Sequence, residues 1–169
     1  MQVFKNNKGF TLIEILIALS FSAIILMTLS TYLNFAYRQT SKQIEGVAHN
    51  YHTRFAMSYI EKTLREMDQT RITFHRSRTT FEGFNSQEKH VRVDLSGNQR
   101  NQFNTLLYFN RSTNQIRVNM RNEHNVLATF IEDIRVTEII EGKLIEIKVI
   151  SSKNNDSVKT KIYIPYKVR

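Results

Sequence analysis

The chain has 169 residues, a formal net charge of +9 and no cysteine. That length provides one domain plus an additional element, and the lack of thiols excludes a disulfide framework, a thiolate metal site and a cysteine nucleophile. The positive charge suits an anionic partner such as nucleic acid, anionic lipid or wall polymer, and equally a merely solvated basic surface.

The first element is apolar. Between Lys8 and Arg38 the only charged side chain is Glu14. The run exceeds the roughly 20 residues that cross a bilayer as a helix. It is longer than the apolar core of a secretory signal, and no Ala-x-Ala cleavage site follows it. Lys5 and Lys8 on one side and Arg38 and Lys42 on the other leave the positive-inside rule nearly balanced. A plain membrane anchor does not explain Glu14, since a charge in mid-membrane costs about 2.5–3.5 kcal/mol on insertion scales.

The stretch Lys8-Gly9-Phe10-Thr11-Leu12-Ile13-Glu14 resembles the class III signal of type IV pilins and type II secretion pseudopilins. The resemblance implies that prepilin peptidase cuts between Gly9 and Phe10 and that the new amino terminus at Phe10 is methylated. Glu14 then becomes the fifth mature residue, the family's acid position. Its carboxylate neutralises the amino terminus of a neighbouring subunit, because each charge is costly alone in apolar packing and much less so when paired. The resemblance also implies other pilin-like subunits as partners and a single-pass membrane protein with its head outside. Two departures weaken the likeness to major pilins. Thr31 stands where they usually have a helix-breaking proline, and Ala23 replaces a common glycine. Both departures suit a minor subunit.

Beyond the membrane run, Ile44, Val47, Ala48, Tyr51, Phe55, Tyr59, Leu64 and Met67 recur at three- and four-residue steps. This predicts that the helix continues to about Asp68 with an apolar stripe for the head's sheet. Lys42, Gln43, Glu45, Arg54, Glu61 and Lys62 lie on the other face, and Gly46 is a candidate bend. The period then changes to two in Val91–Leu95, Ile116–Arg121, Ile145–Val149 and Val158–Tyr166, predicting antiparallel strands with one covered face. Turn signals separate them, and Pro165 places the last strand at an edge or ends it there. The expected fold is α+β and pilin-like, a long amino-terminal helix packed on an antiparallel sheet head. The expected division is a leader over 1–9, a transmembrane and filament-core helix over 10–40, and a soluble head over 41–169.

Chemistry is sparse. His49 and His52 are three apart on the predicted helix, but spacing supplies no third ligand, so a solvated face is expected. Asn154-Asn155-Asp156 could coordinate calcium, as loops in some major pseudopilins do, but one acid and two amides more often make only a turn, since calcium takes six to eight oxygens. No catalytic motif or cofactor site stands out, and no enzyme activity is expected. Arg71, Arg76 and Arg78, with Phe74 between them, are the candidate nucleic-acid contact, weighed against an ordinary charged rim.

The head's back half resembles the ComGF-type minor pseudopilins of Gram-positive late competence. The likeness rests on Leu106-Leu107-Tyr108-Phe109-Asn110, Gln115-Ile116-Arg117-Val118, Leu127, Ile131-Glu132-Asp133-Ile134 and Leu144-Ile145-Glu146-Ile147. It implies a subunit of a pseudopilus that takes up extracellular DNA in transformation. The alternatives are a minor pseudopilin of a type II secretion-like or other type IV pilus system, and a tip subunit that contacts DNA without sequence preference. An ordinary membrane-anchored enzyme or receptor fits neither the signal nor the lack of a catalytic constellation.

Overall fold

The computed structural model describes residues 10–98, 105–120, 123–153 and 156–169. Among the described residues one α-helix, α1 (Leu12–Glu66), is followed by ten strands and a single 3-10 turn, Arg76–Arg78. The chain divides into two units, the first ending at Ile44 and the second spanning Glu45–Arg169. In the first unit the large apolar side chains from Phe10 to Tyr37 are exposed. Among the described residues nothing covers them, as expected of a segment whose solvent is lipid or another helix.

The second unit holds two sheets. Strands β1 (Thr73–His75), β2 (Thr80–Phe84), β3 (His90–Asp94), β4 (Leu107–Asn110), β5 (Gln115–Met120), β6 (Glu123–Ala128) and β10 (Lys167–Val168) form the larger, in the order β10-β1-β2-β3-β4-β5-β6. Strands β7 (Ile131–Ile140), β8 (Leu144–Ser151) and β9 (Ser157–Tyr163) form the smaller. The α+β architecture is the expected pilin-like one, a single long amino-terminal helix followed by a sheet head. The head is not one antiparallel sheet, however. It is split in two, and β3–β4 and β1–β10 pair in parallel. The chain passes Pro165 after β9 ends, and β10 then pairs with β1, Thr73 opposite Lys167 and Phe74 opposite Val168.

Both sheets and the helix share one core. Ala56, Met57, Ile60 and Leu64 of α1 join Phe74, Phe81, Val93, Leu107, Phe109 and Ile116 of the large sheet and Ile145, Ile147, Val149 and Ile162 of the small one. Phe74 stacks on Phe81 at 4.5 Å and meets Tyr166 edge-on at 5.8 Å, geometries that suit aromatic quadrupoles.

The covering face of the helix differs from the expected stripe. The buried residues are His49, Thr53, Ala56, Met57, Ile60, Thr63 and Leu64. Of the predicted stripe only Leu64 and Met67 are buried, while Ile44, Val47, Tyr51 and Phe55 are 64, 70, 62 and 39 % exposed. At about 100° per residue the buried set and the exposed lane lie nearly opposite one another. Small side chains explain the choice. Thr53 and Ala56 are both 0 % exposed and let the helix approach the sheets more closely than Tyr51 or Phe55 could. The second half of α1 therefore carries two apolar faces, one used by the head and one left open.

Candidate functional site

The site implied by the signal begins at the helix amino terminus, where the first backbone N–H groups have no intrahelical acceptor. Thr11 and Glu14 satisfy each other there. The Thr11 backbone N–H donates to Glu14 Oε2 at 2.8 Å, the Thr11 hydroxyl donates to the same oxygen at 2.9 Å, and the Glu14 N–H donates to Thr11 Oγ1 at 3.4 Å. This is a capping box, Thr-x-x-Glu, readable in the sequence as a hydroxyl residue three positions before an acid. Both acceptor bonds use Oε2, and among the described residues nothing donates to Oε1. Glu14 therefore has a local structural role as well as a free oxygen. Phe10 is exposed beside it. Gly9, the other half of the expected processing site, lies outside the described residues.

Five polar side chains of the apolar segment bond back to their own helix. Ser20, Ser22, Thr31 and Asn34 donate to the carbonyls of Leu16, Ala18, Met27 and Ser30, and Thr28 donates to that of Ile25, all at 2.8–2.9 Å. A side chain bonded back to its own helix brings no unsatisfied donor into hydrocarbon.

The candidate arginines are not equivalent. Arg71 donates to Asp68 at 2.6 Å and Glu88 at 2.8 Å, and its guanidinium lies 4.7 Å from the Phe84 ring centre. Hydrogen bonds from the Thr70 hydroxyl and backbone N–H, then from Arg71, hold the Asp68 carboxyl down at about 2. Arg76 donates to Glu138 at 2.6 Å and Glu141 at 3.3 Å. Glu138 also accepts the Tyr166 hydroxyl at 3.0 Å. Burial and then this carboxylate push the Tyr166 phenol up to about 12. Arg78 is exposed and makes no ion pair among the described residues. Two of the three arginines are thus already neutralised by acids, one of them by acids 62 and 65 positions away.

The histidines have structural surroundings. His49 is buried, its ring 4.2 Å from that of Phe130, so it does not sit on the solvated face expected for it. His52 Nδ1 accepts the Thr129 N–H at 3.5 Å. Together they fix α1 to the corner between β6 and β7, where Phe130 adopts φ +62. Among the described residues no three metal-ligating side chains cluster. Asn154 and Asn155 of the candidate calcium turn lie outside the described residues, and Asp156 is exposed.

Residues 4–30 match a family model described as the prokaryotic N-terminal methylation motif. No curated protein and no solved structure matches the chain. The amino terminus carries a type IV pilin-like, class III signal, ahead of a helix long and apolar enough to cross a membrane. That combination suits a membrane-anchored pilin-like subunit with its head outside. The motif implies processing by prepilin peptidase and assembly with other pilins, and subunits of this class are structural rather than enzymatic.

Proposed function

We propose that the chain is a minor subunit of a competence pseudopilus, cleaved between Gly9 and Phe10, methylated at Phe10 and needed to assemble or prime the filament that takes up DNA. The observation that carries this reading is the methylation motif at residues 4–30, which runs into an apolar helical segment whose large side chains are exposed among the described residues. The competence assignment rests further on the likeness of the segments that form β4, β5, β7 and β8 to ComGF-type heads.

Assembly uses Glu14 through its free oxygen. Oε2 caps the chain's own helix, while Oε1 meets the Phe10 ammonium of a neighbouring subunit. The open lane of α1 supports the same reading. Ile44, Val47, Tyr51 and Phe55 are large apolar side chains left exposed along it, with the exposed Arg54 at its border. Contiguous exposed apolar side chains rimmed by polar ones mark an interaction surface. Such a lane is suited to a second helix packed alongside.

Two substitutions separate capping from charge. Glu14→Gln keeps a side chain able to cap at this position and removes the charge, while Glu14→Val removes both. Both proteins should be processed and membrane-inserted, yet absent from sheared filaments, with transformation abolished. Entry of the Gln variant at wild-type levels would show that Glu14 serves only as a cap.

A further inference from the structure

The outer face of the small sheet carries a row of like charges that the fold does not need. In its register Arg135 of β7 stands directly opposite Lys148 of β8, and Lys148 stands opposite Lys159 of β9. Directly opposed like charges destabilise a sheet. Lysines on an edge strand commonly guard against strand addition, which accounts for Lys159 and for Lys161 two positions on. It does not account for Lys148, which lies on the central strand. Among the described residues neither Lys148 nor Lys159 has a carboxylate within ion-pair distance.

The surroundings form a built surface around that row. Arg111, from the turn after β4, donates to Asp133 at 2.6 Å, and Arg135 donates to the other oxygen of Asp133 at 3.1 Å. One carboxylate thus orients two guanidiniums. Together with Lys148, Asn114 and Glu132 they line a cleft of about 610 Å³. The lane continues along β9 through Lys159 and Lys161 to Tyr163, 64 % exposed, which pairs with Leu144. Glu146, opposite Lys161, is the one carboxylate within the β8–β9 part of this face. The backbone positions that carry these cations therefore stand about 4.8 Å apart across strands and about 6.8 Å apart along β9.

We infer that this face, Arg135–Lys148–Lys159 with Lys161 and Tyr163, binds single-stranded nucleic acid without sequence preference. A string of phosphates matches a string of cations by charge, and an exposed ring at the end of the lane offers a base a surface to stack on. A lipid surface would also accept the cations and the tyrosine ring, but it presents no ordered string of phosphates, so lipid and wall polymer are the competing ligands of the test. Arg71 and Arg76 have no comparable role, because each is held by two carboxylates, whereas Arg135 shares the single Asp133 with Arg111 and leaves excess positive charge beside Lys148 and Lys159. The inference does not rest on the competence reading. Binding by the purified chain stands or falls whatever the fate of the Glu14 variants in filaments.

The test uses the full chain in nanodiscs of zwitterionic lipid, with fluorescence anisotropy of a labelled oligo-dT. With three phosphates neutralised, the salt slope for a single strand is about −2, so affinity should fall about twenty-fold between 50 and 200 mM salt. Lys148→Gln with Lys159→Gln should reduce binding about tenfold or more and flatten the slope, while Arg71→Gln leaves both unchanged. Tyr163→Ala should weaken oligo-dT about fivefold and leave an abasic phosphodiester oligomer unaffected. Circular dichroism checks that each variant folds. If the Lys148 variant does not, Lys159→Gln with Lys161→Gln, both on the exposed edge strand, replaces it. Absence of binding, binding indifferent to these lysines, or equal affinity for poly(glycerol phosphate) or anionic-lipid vesicles would each overturn the assignment.

Discussion

The two apolar faces of α1 make opposite demands on a mutant. Ile60 is 0 % exposed and lies in the shared core. Ile60→Ala removes buried methyl groups and leaves a cavity, a change that costs about 2–5 kcal/mol. For a head of this size each kcal/mol is worth roughly 4 °C, so its melting temperature should fall by about 8–20 °C. Val47 and Tyr51 are 70 and 62 % exposed. Changing both to Ser removes little buried area and two ring contacts of Tyr51, a stack on Phe55 at 5.9 Å and an edge contact with His52 at 5.8 Å. Such surface changes usually stay within about 0.5 kcal/mol each. Thermal melts of residues 41–169 should therefore separate the two, with the Val47/Tyr51 variant close to wild type. In cells the order should reverse in kind. The full-length Val47→Ser/Tyr51→Ser protein should accumulate in the membrane and fail to enter sheared filaments. A large drop in melting temperature for that variant would mean that the lane packs within the head. Normal filament entry would mean that it faces no partner.

Acid should destabilise the head in a defined window. The Asp68 carboxyl titrates at about 2 in the fold and near 3.9 when unfolded. Its contribution is present above pH 4 and lost as pH falls toward 2, and Asp68→Asn should flatten the denaturation midpoint over that range. Tyr166 gives the alkaline counterpart. With the folded phenol at about 12 and the unfolded one near 10, its contribution is present below pH 10 and lost between 10 and 12. Tyr166→Phe should remove that loss, and an unchanged alkaline profile would contradict the Glu138 hydrogen bond. Gly97 has φ +78, and a Cβ there would meet Arg111 Cβ at 3.0 Å and Phe109 Cδ1 at 3.1 Å. Gly97→Ala should cost about 1–2 kcal/mol from the left-handed backbone alone, seen as a lower urea midpoint, and an unshifted midpoint would count against this turn.

Local chemistry was legible in the sequence and partner choice was not. The alternation in Val91–Asp94 and Ile145–Val149 marks β3 and β8 because each has one wet face. β4 gives no such signal, since Leu107, Tyr108, Phe109 and Asn110 are all buried. β7 hides its period behind a bulge between Ile131 and Asp133 that brings Ile131 and Ile134 inward together. The division into two sheets and the parallel β1–β10 pairing join residues far apart in sequence, which no window of the chain displays. The helix shows the same limit. Its strongest apolar stripe was evident, but apolarity does not say whether the head or a neighbour covers it. At the candidate site, Gly9, Phe10 and Glu14 follow from a motif. The capping role of Glu14 was readable as Thr-x-x-Glu and was overshadowed by the cost of a charge in the membrane. The acids that tie down Arg76 come from β7 and the turn after it, Glu138 and Glu141, and no local pattern announces them.

The central claim is that the chain is processed and assembled as a pilin-like subunit, and the mature amino terminus tests it most directly. Mass spectrometry of the protein isolated from cells with prepilin peptidase should find a chain beginning with N-methylated Phe10, and the uncleaved form when the peptidase is absent. Recovery of an intact segment from Met1 to Gly9 in peptidase-competent cells would contradict the account.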